Sequence, residues 1–235
     1  MTDFSAYVFY VNRPDLLIRS IEAFPELLPK LTIVDNSAEG LYIQLSTDDC
    51  VDYVFKSEDL FQPPVPMTYA QSMNWMMKNA LAREVDFIIH FHSDAFSTNP
   101  EAVNQLLAFV RSLKQTERKW ACAWTYYDIL WAVNPLAMED IGGWDTNLPN
   151  YFGDNDFKYR CKLAGWECID THIEGINHEG SATINSDPEL KYINGITFPL
   201  AEQYYRAKWG NRPGEEKFTK PFNWAWKPKF HALVK

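Results

Sequence analysis

Cysteine and glycine are scarce in this chain and long hydrophobic runs are missing, and each shortage removes a class of protein. The four cysteines, Cys50, Cys122, Cys161 and Cys168, form no CxxC pair and no zinc-ligand spacing. That excludes a disulfide scaffold and a zinc-finger reading, and leaves free thiols in a reducing compartment. No apolar run approaches the roughly 20 residues of a membrane span. The opening MTDFSAYVFYVNRPD lacks the basic start and apolar core of a secretory signal, so a cytoplasmic chain is expected. No GxGxxG follows the first apolar segment, which excludes the dinucleotide site built on that loop. Internal repeats and low-complexity stretches are absent as well.

What is present is a globular balance: 235 residues, 46% hydrophobic and 23% charged. A chain of this length buries a sizeable core without disulfides or a structural metal. Aromatic residues reach 15%, with nine Trp, which suits a core and equally a sugar-handling or base-stacking surface. The formal charge of −9 is unevenly spread. From Arg206 onward, Arg206, Lys208, Arg212, Lys217, Lys220, Lys227, Lys229 and Lys235 face only Glu215 and Glu216, about +6 against about −15 for the rest. These basic residues interleave with Trp209, Phe218, Phe222, Trp224, Trp226 and Phe230. Such a tail is compatible with a phosphate backbone and stacked bases, with anionic lipid headgroups, or with wrapping the acidic body.

Periodicity predicts an α/β protein. Ser5–Asn12 reads as a strand, Pro14 opens a helix to about Phe24 with Leu17, Ile18 and Ile21 on one face, and Leu31–Val34 is a second strand: a βαβ unit. A brief strand at 52–55 precedes the rigid QPPVP connection, then a helix over Tyr69–Ala82 and a nearly continuous apolar strand over Asp86–His92. Asn99-Pro100-Glu101 opens a helix to about Ser112, and Trp120–Tyr126 is the next strand. From Asp128 the alternation breaks down into a hairpin strand at Ile129–Val133, a short helix at Pro135–Ile141, a helix from Asp154 to about Ala164, a strand at Glu167–Asp170 and a late helix over Phe198–Trp209. One mostly parallel sheet with a mixed second half is expected.

Ligands of open parallel sheets bind beyond the carboxyl ends of the strands. Asn12-Arg13, Asp35-Asn36-Ser37 and His92-Ser93-Asp94 all fall at such ends. Asp94 suits oxygen ligation of a hard divalent cation, and a strand-end Asp also serves as an ordinary cap. Asp154 and Asp156, two apart at a helix start after a glycine-bearing aromatic loop, suggest one structural and one working acid, with Asp154 as general base for a hydroxyl. His178 lies among small residues in GINHEGS, with room for a metal or phosphate nearby.

In their order along the chain, these segments resemble the nucleotide-diphospho-sugar transferases of GT-A fold, glycosyltransferase family 2, over roughly Tyr7 to Ser181. LTIVDNSAEG resembles the second-strand signature and YAQSMNWMMKNA the helix bearing Asn74; DFIIHFHSDAF resembles the strand carrying the metal-binding DxD. GGWDTNLPNYFGDNDFKYRCKLAGWECI is similar to the acceptor-side GGFDE…EDxDLxxRxxxxGY, the most specific match. NHEGSAT resembles the later His segment and YYRAKWGNRPGEEKFTKPFN a KWGG-type ending.

The resemblance implies a GT-A, Rossmann-like sheet and a hexosyltransferase using a UDP- or GDP-sugar with Mn2+ or Mg2+. It implies Asp154 as an inverting base, supported by Asp156, Arg160 and Trp144. Asn12, Arg13, Asp35, Asn36, Asn74, Ser93, Lys208 and Trp209 would bind the donor, and Asp94, His178 and His92 the metal. Two positions depart from the pattern: His92 stands where the first DxD acid is expected, and Gly153 where an acid precedes the base. The implied acceptor is a glycan, a polysaccharide precursor or modified DNA; a non-catalytic nucleotide-sugar or glycan binder is the alternative. The expected organisation is a transferase domain over 1–185, split into a donor half (1–127) and an acceptor half (128–185), with a C-terminal helix and basic aromatic tail over 186–235 packed on it.

Overall fold

The computed structural model of the protein describes residues 3–37, 39–40 and 60–224. Cys50, the strand expected at 52–55, and Trp226, Lys227, Lys229, Phe230 and Lys235 lie outside the described residues.

Parallel strands covered on both faces must be apolar almost continuously, and the first strands are. β1 (Phe4–Tyr10) and β2 (Leu31–Asp35) are buried nearly throughout. β4 (Phe87–His92) is buried up to its last residue. With β3 (Leu60–Phe61), β6 (Trp120–Trp124), β7 (Leu130–Val133) and β8 (Glu167–Asp170) they form one sheet in the order β3-β2-β1-β4-β7-β6-β8. Only β7 runs antiparallel to its neighbours β4 and β6. A second small sheet pairs β5 (Ala95–Ser97) with β9 (Ile176–His178).

Alternation along β1 divides the core. Ala6, Val8 and Tyr10 face α1 (Pro14–Ala23) and α3 (Ala102–Leu113), meeting Leu17, Ile21, Leu106 and Val110. Tyr7 faces α2 (Tyr69–Ala82), α4 (Pro135–Ile141) and α5 (Gly153–Leu163), meeting Met73, Met77, Ala137 and Phe157. Thr68 and Gln71 close a reciprocal capping box on α2, and Asn134 caps α4 ahead of Pro135, so both helices begin where local chemistry dictates.

A short α6 (Ala182–Ser186) precedes α7, which runs over Pro188–Trp209 and not from Phe198 as the sequence pattern predicts. Asp187 caps its first turn, Pro188 occupies the first position and Gly210 ends it with φ 82°. Gly195 and Pro199 inside the helix mask that continuity, since both ordinarily weaken a helix interior.

The chain steps from β1 out to β2 and returns through α2 to β4 on the other side of β1. That reversal makes a crevice at the carboxyl ends of β1 and β4. The register aligns Tyr10 with Asp35 and Phe9 with His92, so the three polar strand ends share one edge.

Candidate active site

The polar groups at this edge are held in their own turns. Asp35 is buried and accepts from the Ser37 amide at 3.0 Å and from the Ser37 hydroxyl. Asn36 donates to the Ser72 hydroxyl (2.9 Å) and accepts from the Met67 amide (3.0 Å), tying the proline-rich connection to α2. Arg13 forms a two-pronged contact with Asp15 at 2.8 and 2.6 Å, and Asn12 before it has φ 50°. Ser93 lies in the turn between β4 and β5.

Pairing of β5 with β9 sets Ala95 opposite His178 and so brings His178 to Asp94. His178 Nδ1 stands 3.9 Å from Asp94 Oδ2. That nitrogen accepts from the Gly180 amide at 3.2 Å, which engages its one lone pair. Asp94 offers the hard oxygen that a divalent metal takes, with His178 Nδ1 3.9 Å from it. His92 is turned elsewhere. Among the described residues no three His, Cys, Asp or Glu side chains converge as a ready ligand set.

His92 faces Asp128, a residue without a sequence motif. Its Nε2 lies 3.6 Å from Asp128 Oδ2, an ion-pair distance too long for a good hydrogen bond. Tyr69, the first residue of α2, donates to the same oxygen at 3.0 Å and lies 3.5 Å from His92 Nε2. Burial works to lower the pKa of His92, but the Asp128 carboxylate outweighs it and raises the value above the ordinary one. Burial likewise works to raise Asp128, and the charges of His92 and Lys158 hold it well below the carboxylate range. Beneath them His90 accepts from Trp131 Nε1 at 3.0 Å, and burial pushes its pKa down to about 3, so it is neutral.

Asp154 lies across from this pair, in the first turn of α5. Burial and then the Asp128 charge push its pKa up to about 6, against the opposing pull of Lys158 and of backbone amides at the helix start. Lys158, one turn on, sits 3.9 Å from Asp154 Oδ2 and 4.3 Å over the Trp124 ring. Asp154 keeps 19% of its side chain open.

Asp156, two residues later, is fully buried and bound by three donors: Arg160 Nε (2.8 Å), Lys208 Nζ (2.6 Å) and Trp209 Nε1 (2.8 Å). Lys208 also reaches Asp145 at 2.7 Å. Lys208 and Trp209 thus anchor α7 to α5. Arg160 continues to the carbonyls of Ile141, Gly142 and Gly143, fixing the turn before Trp144. Asn74 completes that turn with a reciprocal pair, accepting from the Trp144 amide (2.7 Å) and donating to its carbonyl (2.9 Å).

Gly153 is explained by Trp144. A Cβ at 153 would lie 2.8 Å from Trp144 Cε3, so no side chain fits where the family pattern has an acid. A Cβ at Gly143 would likewise lie 2.4 Å from Asn74 Oδ1. The close approach lets the Trp144 ring stack on Phe157 at 5.6 Å and lie edge-on to Tyr69 at 5.7 Å, joining α2 and α5 behind Asp154.

The fold has parallels among solved proteins. A mannosyltransferase from Pyrobaculum calidifontis, solved with GDP-Man and Mn2+, superposes with a TM-score of 0.55 at 10% identity, over 86% of this chain and 64% of that one. Glucosyl-3-phosphoglycerate synthase from Mycobacterium tuberculosis, solved with Mg2+ and UDP, gives 0.55 at 11% identity over 85% and 79%. S. aureus TarS 1-349 gives 0.53 at 14% identity over 86% and 65%. The protein has a GT-A fold. The chain spans less than two thirds of the mannosyltransferase and half of GalNAc-T7. No protein-family model matches the sequence, and no curated protein does.

Of the residues singled out in the sequence, the GT-A edge brings together Asp94, His178, His92 and Asp154. Asp35, Asn36, Asn12 and Arg13 follow along the strand ends, while Asn74, Trp144, Asp156, Arg160, Lys208 and Trp209 form the supporting network. Asp128, Tyr69 and Lys158 join the site unannounced. The one trace of Asp128 in the sequence is a carboxylate in the turn of a hairpin between buried strands.

Proposed function

We propose that the protein transfers a hexose from a UDP- or GDP-sugar to an acceptor hydroxyl, with inversion at the anomeric carbon. The observation that carries this is Asp154: a carboxylate at a helix start, still open to solvent, pushed up to about 6, and sharing His92 with Asp94 as an electrostatic neighbour. A base of that strength is ionised at neutral pH and still takes a proton readily. It would accept the acceptor's proton as the hydroxyl oxygen attacks the sugar, while the nucleoside diphosphate leaves on the opposite face. Asp128 keeps Asp154 basic, and the Asp128–His92–Tyr69 contacts hold the wall beside it.

Asp94 and His178 would hold Mn2+ or Mg2+. Such an ion neutralises charge on the departing diphosphate. The structural neighbours solved with GDP-Man and Mn2+ or with Mg2+ and UDP support the donor class. The turns of Asn12-Arg13 and Asp35-Asn36 would receive the nucleotide, with Asn74 and Trp144 setting the floor.

The test is nucleotide release from UDP-glucose and GDP-mannose with Mn2+, alongside calorimetric donor binding. Asp154→Asn is expected to lower turnover by about 10²–10⁴-fold while donor binding survives. Full turnover in that variant rules out the assigned base. Asp94→Ala is expected to abolish the Mn2+ dependence of nucleotide binding, and an unchanged titration removes Asp94 from the metal. Donor binding with no release by the native protein identifies a binding relative instead.

A further inference from the structure

Three cysteines from three different elements meet between the sheet and α5, and the transfer mechanism uses none of them. Cys122 and Cys168 are register partners on the adjacent parallel strands β6 and β8, so both side chains leave the sheet on one face. Adjacent strands lie about 4.8 Å apart, inside the range of about 4.4–6.8 Å between Cα atoms that a disulfide needs. Cys161, in the last turn of α5, belongs with Cys122 to the apolar cluster around Trp131 and Phe157, and Cys168 packs against that cluster. The Cys168 sulfur also stands 3.9 Å from the carbonyl oxygen of Lys158, three residues before Cys161.

The three thiols differ in access and in charge. Cys122 and Cys161 are buried, which is the ordinary state of a free cysteine. Cys168 is only partly buried and lies on β8, the end strand of the seven-stranded sheet, whose first and last residues are exposed. Hydrogen bonds from the Cys122 and then the Cys161 thiol, with the Lys158 charge, hold the Cys168 thiol below its ordinary value against the effect of burial. Burial pushes the Cys122 thiol up, and the contact with Cys168, followed by burial, does the same to Cys161. One reachable sulfur is thus set toward the thiolate between two thiols that keep their protons. Core packing asks for none of this asymmetry. A small oxidant, by contrast, attacks a thiolate that it can reach, and a neighbouring thiol then resolves the product.

We propose that Cys168 is a reactive thiol that a hydroperoxide oxidises, and that one of its two thiol neighbours, Cys122 or Cys161, then closes it into a disulfide. In the first step the Cys168 sulfur attacks the outer peroxide oxygen. The O–O bond breaks, an S–O bond forms, and the other oxygen leaves with the thiol's proton as water or an alcohol, so sulfur gives up the two electrons that the peroxide gains. In the second step the neighbouring sulfur attacks the Cys168 sulfenic acid. The S–O bond breaks, the S–S bond forms, and hydroxide leaves with the attacking thiol's proton as water. A link to Cys122 ties the end strand to β6, and a link to Cys161 ties it to α5, the helix that carries Asp154 and Lys158. The inference goes beyond the transferase reading and stands without it, because its test reads thiols and not turnover.

The test treats the full-length protein with about a tenfold excess of hydrogen peroxide at neutral pH, blocks the remaining thiols with iodoacetamide and maps disulfides by tryptic mass spectrometry. The 163–191 peptide, which holds Cys168, is expected joined to the peptide of Cys122 or of Cys161, and dithiothreitol is expected to release it. Cys168→Ser is expected to leave Cys122 and Cys161 as free thiols under the same treatment, with the circular dichroism spectrum retained. If that variant misfolds, alkylation of the native protein by iodoacetamide reads the same reactivity: Cys168 is expected to react at least about tenfold faster than Cys122 or Cys161. Survival of all three thiols, a disulfide that leaves out Cys168 or joins it to Cys50, or equal alkylation rates overturns the inference. So does oxidation of Cys168 to the sulfinic acid with no disulfide formed, which makes it a reachable thiol without a resolving partner.

Discussion

Asp154 and Asp156 stand two residues apart on one helix, in two regions that treat a carboxylate in opposite ways. Around Asp156 three donors from α5 and α7 converge on a fully buried group. Around Asp154 burial and then a second carboxylate, Asp128, raise its pKa, and Lys158 stands 3.9 Å away. A fully buried carboxylate bound by three donors of its own fold is closed to a substrate proton. One held near another negative charge, and part open, has both the electron pair and the tendency to use it. The knot at Asp156 fixes the helix, while Asp154, which accepts from Asn155 Nδ2 at 3.1 Å, stays less fully bound.

The sharpest way to break this comparison is to remove each acid in turn. Asp156→Ala removes the buried acceptor shared by Lys208, Arg160 and Trp209, leaving Lys208 to Asp145 and Arg160 to backbone carbonyls, and is expected to destabilise by about 1–3 kcal/mol in urea unfolding. Asp154→Asn is expected to leave stability unchanged or raise it. Its pKa is raised on folding, so the folded state binds the proton more tightly than the unfolded state. Stability is therefore gained as pH falls through about 6, and the fold carries the charge at a disadvantage above it, which Asn relieves. A loss below about 1 kcal/mol for Asp156→Ala, or an equal loss for both, would show that the two regions do not differ as described.

The second prediction concerns the glycine between the regions. Gly153→Ala drives a methyl group into Trp144 and is expected to destabilise by about 1–3 kcal/mol, with turnover falling because Asp154 is the next residue. Gly153→Glu, which installs the acid of the family pattern, should be worse than alanine. Higher turnover in Gly153→Glu would mean that the Trp144 packing does not set the position of the base.

Much of the fold was legible where local chemistry decides the structure. The helices at Tyr69–Ala82 and Pro135–Ile141 and the strand at Glu167–Asp170 begin and end as the pattern predicts, because caps, prolines and apolar runs mark them. The start of α7 was hidden by Gly195 and Pro199, which read as breakers although the cap lies at Asp187. In the site, Asp154 and Asp94 stand out by their motifs. The partners of His92 and His178 do not, because they arrive through β4–β7 and β5–β9, strands of six residues or fewer whose partners lie far off in the chain. Asp128 reaches His92 only because Phe91 pairs with Leu130, and no local spacing encodes that.

The smallest expected effect is also the most specific to the Asp154 region. If burial and Asp128 set the basicity of Asp154, the acid limb of kcat/KM should have its midpoint near 6, since rate is lost as the base takes up a proton. The neighbours should then move that midpoint in opposite directions. Asp128→Asn removes a like charge that disfavours ionised Asp154, so the limb should move to lower pH. Lys158→Met removes an opposite charge that favours it, so the limb should move to higher pH. Each shift is expected to be on the order of one unit or less, because Asp154 is partly solvated and screening weakens both interactions. A general loss of rate in either variant displaces the whole profile downward and leaves its midpoint in place. Shifts of the same sign, or a midpoint near 4 in the native protein, would show that Asp154 titrates as an ordinary surface carboxyl and that the open region differs from the Asp156 knot in packing alone.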